Sequence, residues 1–223
     1  MKILHLETSS KNCSVAISDG EKLLCLCEEV SENYKQSESL HTFVSWALEG
    51  AEISIQDLDA VCLGKGPGSY TGLRIGAASA KGFCYAQKIP LIAINSLNSL
   101  VDPFLDKDYD FVIPMVDARR MEVYTAIYNG TTGEEIAPTE AKILEEQSFS
   151  EFQNKKILFV GDGAQKAQNI LQLPNAEYNF TKYPSAQFQI KTGFKKFLNR
   201  EFEDIAYFEP FYLKDFQGVK KQK

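Results

Sequence analysis

Residues 59–87, DAVCLGKGPGSYTGLRIGAASAKGFCYAQ, constrain this chain more than any other stretch. Residues 60–63 form an apolar run that reads as a short buried strand, and Gly64, Gly66, Pro67, Gly68 and Gly72 punctuate the segment after it. No proline interrupts residues 73–87, and apolar or small residues recur there at helical spacing, which predicts a helix starting near Thr71 or Gly72. The unusual property of that helix is a face with little bulk: Gly72, Gly76 and Ala80 fall at i, i+4 and i+8, and Cys84 continues the series. Such a stripe lets another backbone approach closely. Two readings stay open, close packing on the chain's own sheet or a surface for a partner helix.

Strands flank this unit on both sides. Residues 3–6 and 13–18 read as strands, Asp19-Gly20 is a hairpin signal because a type I′ turn needs positive φ, and residues 22–29 form a third strand. Ser37 can cap a helix over residues 37–49 with Leu40, Phe43, Val44, Ala47 and Leu48 on one face, Trp46 beside it and Gly50 as the stop. Residues 91–94, after Pro90, add a strand. The aspartate-rich stretch 101–110 with Pro103 suits a linker, after which the order restarts: strands at 111–116, 122–128 and 134–137, a buried strand at 157–160, then Gly161-Asp162-Gly163 and helices at 164–171 and 186–199. This predicts an α/β fold of duplicated βββαβα units, one over residues 1–100 and a smaller one over 101–223, whose last residues are expected as a tail that can pack back on the first unit.

Composition narrows the function classes. A net charge of −6 argues against a surface built to neutralise phosphate backbones, although residues 219–223 form a small basic tail. The five cysteines, Cys13, Cys25, Cys27, Cys62 and Cys84, sit inside apolar runs and read as reduced small hydrophobes. Apolar stretches are too short for a signal peptide or a membrane span, so the cytoplasm is the expected location.

The glycine loop fits neither phosphate template: Lys65 precedes Gly66 instead of following a glycine before Ser or Thr, and no G-x-G-x-x-G occurs. A tight structural turn and a generic anion site at a helix N-terminus remain as readings. With two histidines, His5 and His41, and Cys25-x-Cys27 lacking a second pair, no metal site is indicated. No Gly-x-Ser-x-Gly elbow supports nucleophilic hydrolysis. Two acids occupy corresponding turns of the two halves, Glu7 before Thr8-Ser9-Ser10 and Asp117 before Ala118-Arg119. They read equally as solvated turn residues or as groups that orient Mg²⁺ and phosphate in a cleft.

The blocks ILHLETSSKNCSVAI, LGKGPGSYTGLRIGAASAKGF, VDARRMEVYTAIY and EPFYLKD resemble the TsaB (YeaZ) family, accessory subunits of the bacterial machinery that makes N6-threonylcarbamoyladenosine at position 37 of tRNAs. The matches cover most of residues 1–128, 160–164 and 209–215. The resemblance implies the fold of the actin, sugar-kinase and chaperone-ATPase superfamily and a non-catalytic role: binding the catalytic subunit TsaD through the first two helices, with the ATPase TsaE joining and a homodimer forming when TsaD is absent. Carried onto this sequence, the partner surface comprises Leu40, Val44, Gly72, Gly76, Ala77, Ala80 and Cys84. A residual nucleotide cleft comprises Glu7, Thr8, Ser9, Gly66, Gly68, Ser69, Asp117, Arg119, Gly161, Asp162 and Gly163. No metal is implied, ATP or ADP with Mg only within the complex, and tRNA only through it. The sequence departs from the family at Gln36, where many relatives have His, and at Glu7, where Asp is usual. The alternative is an autonomous nucleotide-dependent transferase or M22-like peptidase using the cleft around Glu7, Ser69, Asp117 and Asp162.

Overall fold

The computed structural model describes residues 1–31, 36–105, 107–180 and 182–214. The first unit runs β1 (Lys2–Glu7), β2 (Asn12–Asp19), β3 (Lys22–Val30), α1 (Gln36–Gly50), β4 (Ala60–Gly64), α2 (Tyr70–Gln87) and β5 (Leu91–Ile94). The short α3 (Asn98–Val101) leads to β6 (Phe111–Asp117), β7 (Glu122–Asn129), β8 (Glu135–Ile143), β9 (Ile157–Val160), α4 (Ala164–Ile170), β10 (Ala176–Asn179) and α5 (Ile190–Leu198). The first sheet has the order β3-β2-β1-β4-β5 and the second, read from its other edge, β8-β7-β6-β9-β10. In each, two antiparallel pairings precede two parallel ones. The duplication expected from element order is therefore present strand for strand.

The central strands β1 and β4 are buried along nearly their whole length, as strands covered on both faces must be. On one face Leu4, Leu6, Val15, Val61 and Leu63 pack with Leu40, Val44 and Ala47 of α1 and Ala77, Ala80 and Cys84 of α2. The other face, with Ile3, Ala60, Cys62, Ile92 and Ile94, is covered by Phe194 and Phe197 of α5. That helix comes close enough for a β-carbon on Gly193 to lie 3.1 Å from His5 Cε1 and 3.2 Å from Cys62 Sγ. Chain after α5 stays with the first sheet, since Glu203 N donates to Leu91 O at 2.8 Å.

Conversely, Leu97, Leu100, Val101 and Phe104 pack with Val112, Val116, Tyr128 and Leu158 of the second sheet. Residues 101–110 are thus not the linker their aspartates and Pro103 suggest, because the apolar residues interleaved with them belong to a core. Three other expectations need correction. The strand expected at 134–137 extends to Ile143 through Pro138, which an edge strand tolerates. The helix expected at 186–199 is a 3-10 turn, Ala186–Gln189, followed by α5. Among the described residues the second unit has no counterpart of α1; between β8 and β9 buried Leu144 and Phe149 and a 3-10 turn at Ser150–Phe152 cover the core instead. The basic tail at 219–223 lies outside the described residues.

Candidate functional site

The β1–β2 turn and the glycine loop between β4 and α2 meet backbone to backbone. Ser69 N donates to Ser9 O at 2.6 Å, and Ser69 Oγ caps α2 by accepting from Gly72 N at 3.3 Å. Thr8 Oγ1 donates to Gly72 O at 2.8 Å. A β-carbon on Gly68 would run into Ser9 O, one on Gly72 into Thr8 O, and one on Gly76 into Thr8 Oγ1. From the other side Phe211 N donates to Lys65 O at 2.7 Å, and Gly66, at φ 100°, faces Phe211 O and Leu73. Gly66 N itself donates to Ser96 Oγ at 3.1 Å. The glycines therefore serve the chain's own close approach, and the Gly66 and Ser69 amides that suggested an anion seat already face Ser96 and Ser9.

Glu7 is fully buried at the centre of this junction. Its Oε1 accepts from Ser9 N at 2.9 Å and from Ser96 Oγ at 3.3 Å, and its Oε2 from Gln189 Nε2 at 3.1 Å. Burial pushes its pKa up, and the hydrogen bonds from Ser9, Ser96 and Gln189 pull it back. Gly64 is packed so tightly on the carboxylate that a β-carbon there would overlap it. A carboxylate enclosed in this way, beside a loop filled by Ser9 O, does not fit a Mg–nucleotide. No sequence signal points to Ser96 or Gln189, which reach Glu7 from distant elements.

The corresponding turn of the second unit is open. Asp117 Oδ1 accepts from Lys166 Nζ and from Arg119 N, each at 2.6 Å, while Asp117 N donates to Asp162 Oδ1 at 2.9 Å. Burial raises the Asp162 pKa, the Asp117 charge adds to that, and the amides of Asp117 and Gly163 and the charge of Lys11 oppose it. Gly161, at φ 111°, and Gly163 are both packed on Met115, whose carbonyl accepts from Gly163 N at 3.0 Å. The cleft residues thus form two groups. Glu7, Thr8, Ser9, Gly66, Gly68 and Ser69 are interlocked, Asp117, Arg119, Gly161, Asp162 and Gly163 surround a separate turn, and the influence of Lys11 on Asp162 links them.

The small face of α2 points inward. Leu40, Ala80 and Cys84 are fully buried, Ala77 and Val44 nearly so, and Gly72 and Gly76 rest on Thr8. These seven residues are core rather than partner surface, because the smallest side chains sit where helix and sheet approach most closely. Outside, α1 and α2 leave a groove of about 430 Å³ lined by His41, Ala78, Ser79, Gly82 and Phe83. His41 Nε2 lies 3.1 Å from Ser79 Oγ, and the His41 and Phe83 rings are 5.6 Å apart. Gly82 has nothing within 4 Å of where a β-carbon would be, and Trp46 and Tyr85, at 55% and 82% exposure, stand on the same two helices. A glycine in a helix interior with no packing reason was the one sequence signal for this face.

A family model described as TsaD, tRNA N6-adenosine threonylcarbamoyltransferase, matches residues 28–216. The TsaB protein of Bacillus subtilis is 30% identical over 167 residues, 72% of this chain and 71% of its own. That of Buchnera aphidicola is 31% identical over 195 residues, 83% and 89% of the two chains. The chain belongs to the TsaB family. A Pseudomonas aeruginosa protein described as similar to the peptidase YeaZ superposes with a TM-score of 0.82 at 25% identity, over 96% of this chain and 99% of that one. The activator of 2-hydroxyisocaproyl-CoA dehydratase from Clostridium difficile shares the fold alone, with a TM-score of 0.51 at 10% identity over 92% and 99%. This TsaB-family chain shares its two-unit α/β architecture with both of these structures. Among the described residues no helix is long and apolar enough to cross a membrane, and no three His, Cys, Asp or Glu side chains are grouped to hold a metal.

Proposed function

We infer that this chain works in the biosynthesis of N6-threonylcarbamoyladenosine in tRNA, as its TsaB relatives are named for, and that it does so as a non-catalytic subunit binding the transferase TsaD. The observation that carries this reading is the groove of His41, Ala78, Ser79, Gly82 and Phe83. It is open, floored by small residues and flanked by exposed aromatics, the composition of a protein interface core. The enclosed Glu7 supports the non-catalytic part, since an acid with three internal donors has little capacity left for a ligand. The same groove pairs two copies when TsaD is absent, TsaE joins the heterodimer, and the setting is the cytoplasm. Light-scattering mass after chromatography tests this with the chain alone and mixed with TsaD of the same organism. The expected result is a dimer that exchanges into a 1:1 heterodimer and a Gly82→Arg variant that does neither. Unaltered pairing by that variant would remove the groove from the interface. Micromolar binding of Mg-ATP by the isolated chain would favour an enzyme of its own instead.

A further inference from the structure

The turn between β6 and β7 holds two adjacent arginines in a backbone conformation that side chains avoid. φ is 70° at Arg119 and 52° at Arg120, the left-handed region in which Gly and Asn are at home. Ala118 N donates to Glu122 O at 3.1 Å and Glu122 N to Arg119 O at 3.2 Å, so the turn is tight, and Asn at 119 with Gly at 120 would hold these φ values with less strain. The hairpin gives no reason for arginine. Strain retained without a structural return points to a use for the side chains.

Those side chains are also uncompensated. Both arginines are exposed, and among the described residues neither guanidinium has a hydrogen bond or ion pair. The neighbouring acids are committed elsewhere, Asp117 to Lys166 at 2.6 Å and Glu122 to Lys214. Glu145 and Glu146, which come just after the contact of Leu144 N with Met121 O, pair with neither. A chain of net charge −6 thus projects from one hairpin tip two planar cations without an acidic partner among the described residues, with the paired Lys166 and Lys214 behind them.

We propose that Arg119 and Arg120 contact the phosphodiester backbone of the tRNA on which the assembly acts. The guanidinium fork matches a phosphate in two directions, and an open tip suits an extended polyanion. This rests on the role in tRNA modification inferred above. The test is fluorescence anisotropy of an unmodified tRNA transcript with the complex of this chain and TsaD, over a series of salt concentrations. Arg119→Asn/Arg120→Gly should bind about tenfold more weakly and lower the slope of log K against log salt by about 2. The same variant should melt about 2–4 °C higher, because the strain is relieved. A gain in stability with a loss of RNA affinity is a signature that misfolding cannot produce. Arg119→Lys/Arg120→Lys should recover most of the salt slope, since the charges remain. An unchanged slope overturns the proposal. So does loss of TsaD pairing with RNA affinity otherwise intact, which would give the arginines to a protein carboxylate. The mass of the complex, read separately, reports whether the pairing with TsaD holds at all.

Discussion

Two arginine substitutions on opposite faces of α2 should move stability in opposite directions. Ala80 has no solvent exposure and sits in the core with Leu63, Ala77 and Cys84, so Ala80→Arg forces a guanidinium where no acid can meet it. An unpaired buried charge costs several kcal/mol, and overpacking adds about 1–3 kcal/mol. A combined loss of at least about 4 kcal/mol is a large part of the ~5–15 kcal/mol that holds a domain together. At roughly 2–4 °C per kcal/mol for a chain of this size, the melting temperature should fall by about 8 °C or more. Gly82 has open space where its β-carbon would be, so Gly82→Arg meets no clash and gains about 1 kcal/mol of helix propensity. It should melt about 2–4 °C higher while losing the partner. Thermal denaturation by circular dichroism, with light scattering of each variant against TsaD, reads both quantities. If Ala80→Arg melts with the parent chain and selectively abolishes pairing, the small face is the interface after all and α2 does not pack inward on Thr8 and Leu63.

His5 makes the fold acid-sensitive. Its Nε2 lies 2.9 Å from Ser18 Oγ, and burial holds its pKa down from 6.5 to about 3. A base with a depressed pKa is protonated first in the unfolded chain, so the stability it contributes is present above pH 6.5 and is lost as pH falls toward 3, by about 1.4 kcal/mol per unit. Between pH 7 and 5.5 the parent should lose about 1 kcal/mol more than His5→Gln in urea denaturation, and parallel pH profiles would refute the assignment. Gly68→Ala should cost about 1–3 kcal/mol, because the Thr8–Ser9 turn must retreat from the new methyl group. Faster hydrogen exchange at the Ser69 amide, which donates to Ser9 O, is the local readout.

The succession of most strands along the chain was legible because their signals are local. Apolar runs bounded by Asp19-Gly20, Gly64 or Asn129-Gly130 announce strands whatever they later pair with. The direction of the small face was not legible. Gly72, Gly76 and Ala80 report only that something comes close, and a backbone of the same chain and a partner helix ask for the same side chains. Leu40 and Val44 show the general form of the difficulty: the most apolar face of an amphipathic helix is the one the core claims, so a partner takes what is left over. β10 went unseen because AEYN carries little strand signal and is held by pairing with β9. Gln189 and Ser96 could not be assigned to Glu7 at all, since only the folded chain brings three such distant segments together.

The cover that α5 provides sets an order of events during synthesis. The strands of the first sheet leave the ribosome early, yet the face bearing Ile3, Ala60, Cys62, Ile92 and Ile94 has no lid until Phe194 and Phe197 have been made. Through most of translation that face is bare, apolar and available to chaperones or to other nascent chains. A gene truncated before Ile190 would encode a sheet with one side open to water, and a frameshift late in the message should be as damaging as one near its start. The chain is a duplication in its topology, but its two halves are finished only together.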